Sequence, residues 1–94
     1  MIKPIIFHKV MEANNTYTFD FGVLVNGFMV KNLTEGDIKV SFGEEIDENS
    51  YSLLPTKTSE IIFTSYINKE EQRTDKVTVQ SNLSGIVEIR LLEY

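Results

Sequence analysis

Asp37-Ile38-Lys39-Val40-Ser41-Phe42 decides the fold. Side chains alternate across an extended chain, so Ile38, Val40 and Phe42 share one side and Asp37, Lys39 and Ser41 the other. This is the pattern of a half-buried strand. The same two-residue period returns upstream at Tyr17, Phe19 and Phe21. Downstream it returns at Val77 and Val79 and at Val87, Ile89 and Leu91.

Further strands follow from composition and punctuation. Lys3 to Val10 reads as a first strand with Pro4 near its start, where a missing ladder donor costs least. Thr16 to Phe21 reads as a strand stopped by Gly22. Val23–Val25 and Phe28–Lys31 flank Asn26-Gly27. That pair enters positive φ cheaply, so it marks either a tight hairpin or a bulge in one long bent strand. Asn32 to Gly36 reads as a turn, Gly43 to Ser50 as an acidic loop, and Tyr51 to Leu54 as a short strand ended by Pro55. Ser59 to Tyr66, Lys76 to Ser81 and Ile86 to Leu92 complete the set, with an all-polar connection over Asn68–Asp75 and one possible helical turn over Ile67–Gln72. Seven to eight strands with turns roughly every 8–12 residues predict an all-β, mostly antiparallel sandwich, jelly-roll or immunoglobulin-like. The expected core is Phe19, Phe21, Val30, Ile38, Val40, Phe42, Leu53, Ile61, Phe63, Val77, Val79, Val87 and Ile89.

Composition bounds the rest. Ninety-four residues predict a single domain over 1–94. A domain this small buries a modest share of its surface and needs outside support. No cysteine is present, which removes disulfides and thiolate metal sites. One histidine makes an all-protein zinc site a poor expectation, and no cofactor is expected. Alanine occurs once while β-branched residues abound, which argues against helices. The net charge of −5 with scattered cations argues against nucleic-acid binding, which needs clustered Lys and Arg. No apolar run approaches the roughly 20 residues of a membrane span, and Met1–Phe7 does not read as a secretory signal.

Candidate sites are sparse. Glu44, Glu45, Asp47 and Glu48 supply oxygen ligands of the kind calcium takes, but their spacing matches no EF-hand template, Ile46 interrupts it, and a solvated hairpin loop explains them. His8 could serve as a base or pH switch, but no nucleophile stands with it, so a partly buried or interface histidine is expected. Glu60, Glu88 and Glu93 could pair as glycosidase carboxylates, whereas Glu88 and Arg90, two apart on one strand, suit a cross-strand charge ladder. Tyr17, Tyr51 and Tyr66 could form a sugar-stacking platform, although no tryptophan is present. These features predict a non-enzymatic protein.

Three stretches together carry a likeness: Val30–Phe42, Tyr51–Pro55 with Ser59-Glu60, and Val77–Ser81 leading to Ser84–Ile89. Their layout resembles small phage-encoded β-sandwich virion proteins of the capsid decoration, head-fibre or tail-accessory type. The resemblance spans about residues 28–92 and transfers no catalytic or binding residue. It implies a virion structural role, with the chain made in the cytoplasm of a bacterial host. It implies a partner in the major capsid protein or another virion protein, and a homo-oligomer, a trimer by analogy. The alternative is a carbohydrate- or cell-surface-binding sandwich module. The expected contact element is Met1 to Phe7, with Ile2, Pro4, Ile5, Ile6 and Phe7, because it carries more apolar surface than one strand face can bury.

Overall fold

Residues 5–63 and 74–93 are described by a computed structural model. They form eight strands: β1 (Ile6–Met11), β2 (Thr16–Val25), β3 (Gly27–Thr34), β4 (Ile38–Phe42), β5 (Ser52–Leu54), β6 (Thr58–Phe63), β7 (Thr74–Ser81) and β8 (Gly85–Glu93). Sheet A has the order β1-β8-β3-β6 and sheet B the order β2-β7-β4-β5, with every pairing antiparallel. The expected sandwich is present. The region proposed for a helical turn, Ile67–Gln72, lies outside the described residues.

The pairing has a simple generator. β1 pairs β8, β2 pairs β7, β3 pairs β6 and β4 pairs β5. The chain is thus one long antiparallel ribbon folded at the β4–β5 hairpin. Rolling that ribbon brings β3 against β8 and β4 against β7 and closes both sheets. This is the jelly-roll order, not the immunoglobulin-like one, since β4 and β5 alone among the described strands follow one another within a sheet.

Rolling places apolar faces inward. Rings from the first four strands zigzag between the sheets: Phe7 lies 5.3 Å from Phe21, Phe21 5.9 Å from Phe28, and Phe28 6.0 Å from Phe42. Met11, Val25, Phe28, Leu54 and Leu91 join the expected core residues in the interior. Three expected core residues stand outside it. Leu53 is 55% exposed and Ile61 53% exposed, because Leu53 pairs with outward Lys39 and Ile61 with Met29 on the outer face of sheet A. Their neighbours Leu54 and Ile62 turn inward instead. In the doublets Leu53-Leu54 and Ile61-Ile62 apolarity does not reveal the phase, and a one-residue slip exchanges the two faces. Phe42 is 38% exposed, since it ends β4 beside an open cleft. The side chain of Phe63 is outside the described residues.

Asn26-Gly27 makes no hairpin, but the β3–β8 register shifts between Gly27 and Phe28, the irregularity expected at Gly27. β2 and β3 belong to different sheets, neither residue has positive φ, and the pair is a corner between layers. A second irregularity lies earlier. Gly22 has φ 75°, its amide donates to Asp20 Oδ1 at 3.0 Å, and the β2 register shifts between Asp20 and Val25. Gly85 begins β8 at φ +141°, and a Cβ there would stand 2.4 Å from Thr34 Cα. Only glycine lets β8 close on β3 at that point.

Of the expected turn Asn32–Gly36, Asn32 to Thr34 are the end of β3 and the chain bends at Glu35 and Gly36; Asn32 is fully buried. Its Nδ2 donates to the carbonyls of Gly36 at 2.8 Å and Leu54 at 2.9 Å. Its Oδ1 accepts from the Thr34 amide at 2.9 Å and the Thr34 hydroxyl at 2.6 Å. Because β3 belongs to sheet A and β5 to sheet B, this one amide ties the layers together.

Two outcomes test this architecture. Phe28→Ala should cost about 3–5 kcal/mol in urea unfolding, and Phe42→Ala about half of that or less; equal losses would contradict the placement of Phe42. Asn32→Leu should cost about 2–5 kcal/mol, because it strands the Thr34 amide and the Leu54 carbonyl at roughly 1–3 kcal/mol each, while the Gly36 carbonyl keeps the Thr34 hydroxyl. A near-neutral Asn32→Leu would show that the inter-sheet tie is dispensable.

Candidate functional site: the outer face of sheet A

The outer face of an antiparallel sandwich sheet is ordinarily polar. On sheet A it is banded. Cross-strand register aligns Val10, Ile86 and Leu33 in one row across β1, β8 and β3. All three are exposed, Val10 at 70%. The next row holds His8, Glu88, Lys31 and Ser59, and the third Ile6, Arg90, Met29 and Ile61. Ile6 and Ile61 are exposed as well. Scattered surface apolars need no explanation, but rows in cross-strand contact form a patch.

The central row is electrostatic. His8 Nε2 lies 2.7 Å from Glu88 Oε1, and Lys31 Nζ and Arg90 Nη2 lie 3.7 and 3.9 Å from Glu88 Oε2. The Glu88 side chain is only 13% exposed. The hydrogen bond from His8 holds its carboxyl below the ordinary range, against the opposing effect of burial, with Lys31 and Arg90 adding attraction. The charge ladder expected for Glu88 and Arg90 is present and extends to two neighbouring strands. His8 is exposed on this face rather than half-buried.

The edges of sheet A carry charge. Lys9 has the inward register of β1, and its Nζ lies 4.5 Å from the centroid of the Tyr17 ring on sheet B. Glu60 pairs with inward Val30 on β6 and is exposed. Charges in inward register blunt edge-to-edge pairing. They disfavour strand addition at these edges.

The expected contact segment is divided by its own strand. Ile5 and Phe7 pack against the core, and Ile6 faces outward at the third row. Ile2 and Pro4 lie outside the described residues. Glu60 and Glu88 have opposite phases in sheet A, so they do not form a carboxylate pair; the Glu93 side chain is outside the described residues. Tyr17 and Tyr51 sit at opposite edges of sheet B and share no platform, while Tyr66 is outside the described residues. Lys39 Nζ also covers Tyr51, 4.9 Å from its centroid.

The acidic loop is a strap across the outer face of sheet B. Thr78 and Ser41 are buried beneath it. The Thr78 hydroxyl donates to the Gly43 carbonyl at 2.8 Å, backed by Thr18 at 2.8 Å. The Ser41 hydroxyl donates to the Ser50 carbonyl at 3.1 Å and accepts from the Asp47 amide at 3.0 Å. Lys39 pairs with Glu48 at 3.0 Å and Lys76 with Glu44 at 3.9 Å. Among the described residues, no group of three or more His, Cys, Asp or Glu side chains could hold a metal ion. Beside the strap, Phe42, Ile62, Tyr51, Asp47 and Asn49 line an open cleft of about 400 Å³.

Comparison of the chain with protein-family models, with curated proteins and with solved structures finds no match.

Glu88 supplies a pH test. Its depressed pKa contributes stability that is present above the ordinary carboxylate value of 4.5 and is lost as pH falls through the lower folded value. Glu88→Gln should therefore melt below the unaltered chain at neutral pH, and the two should converge in acid. A gap that stays constant from neutral pH into acid would exclude this linkage.

Proposed function

We propose that this chain is a non-enzymatic structural subunit of a bacteriophage virion, of the capsid-decoration type, whose assembly contact with a neighbouring protein is the outer face of sheet A. The observation that carries the reading is the exposed apolar row Val10–Ile86–Leu33 on that face, with exposed Ile6 and Ile61 and half-buried Met29 around Arg90 on the other side of Glu88. An apolar border around a half-buried carboxylate with exposed cations beside it suits a protein partner. The small cysteine-free body and the charged sheet edges agree with a subunit steadied by a neighbour across its face. The jelly-roll order adds an analogy at the level of fold, since viral capsid and lectin domains both use it.

The carbohydrate- or cell-surface-binding reading rests on the cleft at Phe42 and Tyr51. It is the weaker one, because Lys39 occupies a face of the Tyr51 ring on which a sugar would stack.

Phage particles purified on a density gradient and probed with an antibody against this chain should carry it in many copies. Val10→Asp with Leu33→Asp should keep the melting temperature within a few degrees and remove the chain from the particles. Particles rich in major capsid protein but devoid of the chain would overturn the proposal.

A further inference from the structure

The two broad faces of the sandwich differ in charge. On the outer face of sheet A, Lys31 and Arg90 share the single carboxylate of Glu88 at 3.7 and 3.9 Å, beyond hydrogen-bond reach. Arg90 Nε is buried with no hydrogen-bond partner. This face has more cation than anion, although the chain as a whole carries −5. Across the molecule, the strap on sheet B holds Glu44, Glu45, Asp47 and Glu48. Lys76 and Lys39 take Glu44 and Glu48. Glu45 and Asp47 are exposed and make no ion pair among the described residues. Exposed Leu53 and Tyr51 lie near the strap on the same side.

We propose that the outer face of sheet A docks on the acidic strap of a second copy of this chain, head to tail. In that contact Glu45 and Asp47 of one copy meet Lys31 and Arg90 of the next. Leu53 and Tyr51 lie against the rows of Val10, Ile86 and Leu33 and of Ile6 and Ile61. Copies with a large like charge repel one another in most orientations, and this orientation brings opposite signs together. An isologous pairing of two sheet A faces would set cations against cations. The contact uses two different patches on opposite sides of the sandwich, so it is heterologous and propagates. A stack that grows with concentration is expected rather than the trimer suggested by analogy. This inference rests on the assembly reading above and names the neighbour.

The test uses two half-blocked full-length chains. Val10→Asp with Leu33→Asp blocks the sheet A face and leaves the strap. Glu45→Lys with Asp47→Lys blocks the strap and leaves the face. The unaltered chain, measured by light scattering after gel filtration, should gain mass with concentration and lose it in high salt. Each half-blocked chain alone should remain monomeric, with self-association weakened about tenfold or more. Their equimolar mixture should give a discrete heterodimer, since one competent face then meets one competent strap. Ile61→Asp replaces the first variant if that one fails to fold. A strap-blocked chain that still dimerises means an isologous sheet A contact and overturns the proposal. An unaltered chain that stays monomeric at every concentration also overturns it and leaves another protein as the neighbour. In that case, loss of the face-blocked chain from particles would still support the assembly reading, whereas absence of the unaltered chain from particles would remove it.

Discussion

The buried side chain of Asn32 is the constraint on which the layering depends. A primary amide has two donors and two acceptor lone pairs, and in a dry interior each needs a partner. Asn32 finds all of them: the Gly36 and Leu54 carbonyls and the amide and hydroxyl of Thr34. The bond to Leu54 joins β3 of sheet A to β5 of sheet B, and the Lys57 amide closes on the Asn32 carbonyl at 2.9 Å. The β3–β4 turn and the β5–β6 turn are held together at one point. The ribbon can then roll in one register, with Leu54 inward and Leu53 outward. Apolar packing alone would accept either residue of that doublet.

Around this tie the core is built by alternation between layers. Phe7, Phe21, Phe28 and Phe42 come from β1, β2, β3 and β4, which belong in turn to sheets A, B, A and B. Each ring touches the next across the gap between sheets, so the aromatic chain follows the path of the rolled ribbon. The hydroxyls of Ser41 and Thr78 do polar work on the outside of sheet B, where they hold the strap by its backbone. Burying such hydroxyls without partners would be unfavourable, and the strap carbonyls remove that cost.

The two broad faces of the molecule are consequently unlike. Sheet B is roofed by its own loop, and the strap presents carboxylates outward. Sheet A has no such cover among the described residues, and its outer face sets an apolar row, a charged row and a mixed row side by side. Lys9 and Glu60 guard its edges while its centre stays open. A domain that discourages pairing along its edges and leaves one face partly apolar is suited to stacking on a neighbour. This asymmetry motivates both the virion assembly reading and the head-to-tail contact.

The sequence by itself determined the strands, because a period of two needs only local geometry and burial on one side. Ile38, Val40, Phe19, Val77, Val79, Val87 and Ile89 were legible as core on that ground. It also showed the polar loops and the pairing of Glu88 with Arg90, which lie close along one strand. Only the tertiary structure decided which strands pair, since ribbon partners such as β1 and β8 are far apart in sequence and no local pattern encodes their register. The same limit explains the particular misses. Leu53 and Ile61 stand in apolar doublets whose phase is set by the neighbouring strand. Asn26-Gly27 has the chemistry of a hairpin but was placed at a corner between sheets. Asn32 reads as a turn residue until Leu54, distant along the chain, is brought beside it. The candidate face was invisible for the same reason: Val10, Leu33 and Ile86 become one row only when β1, β8 and β3 lie side by side.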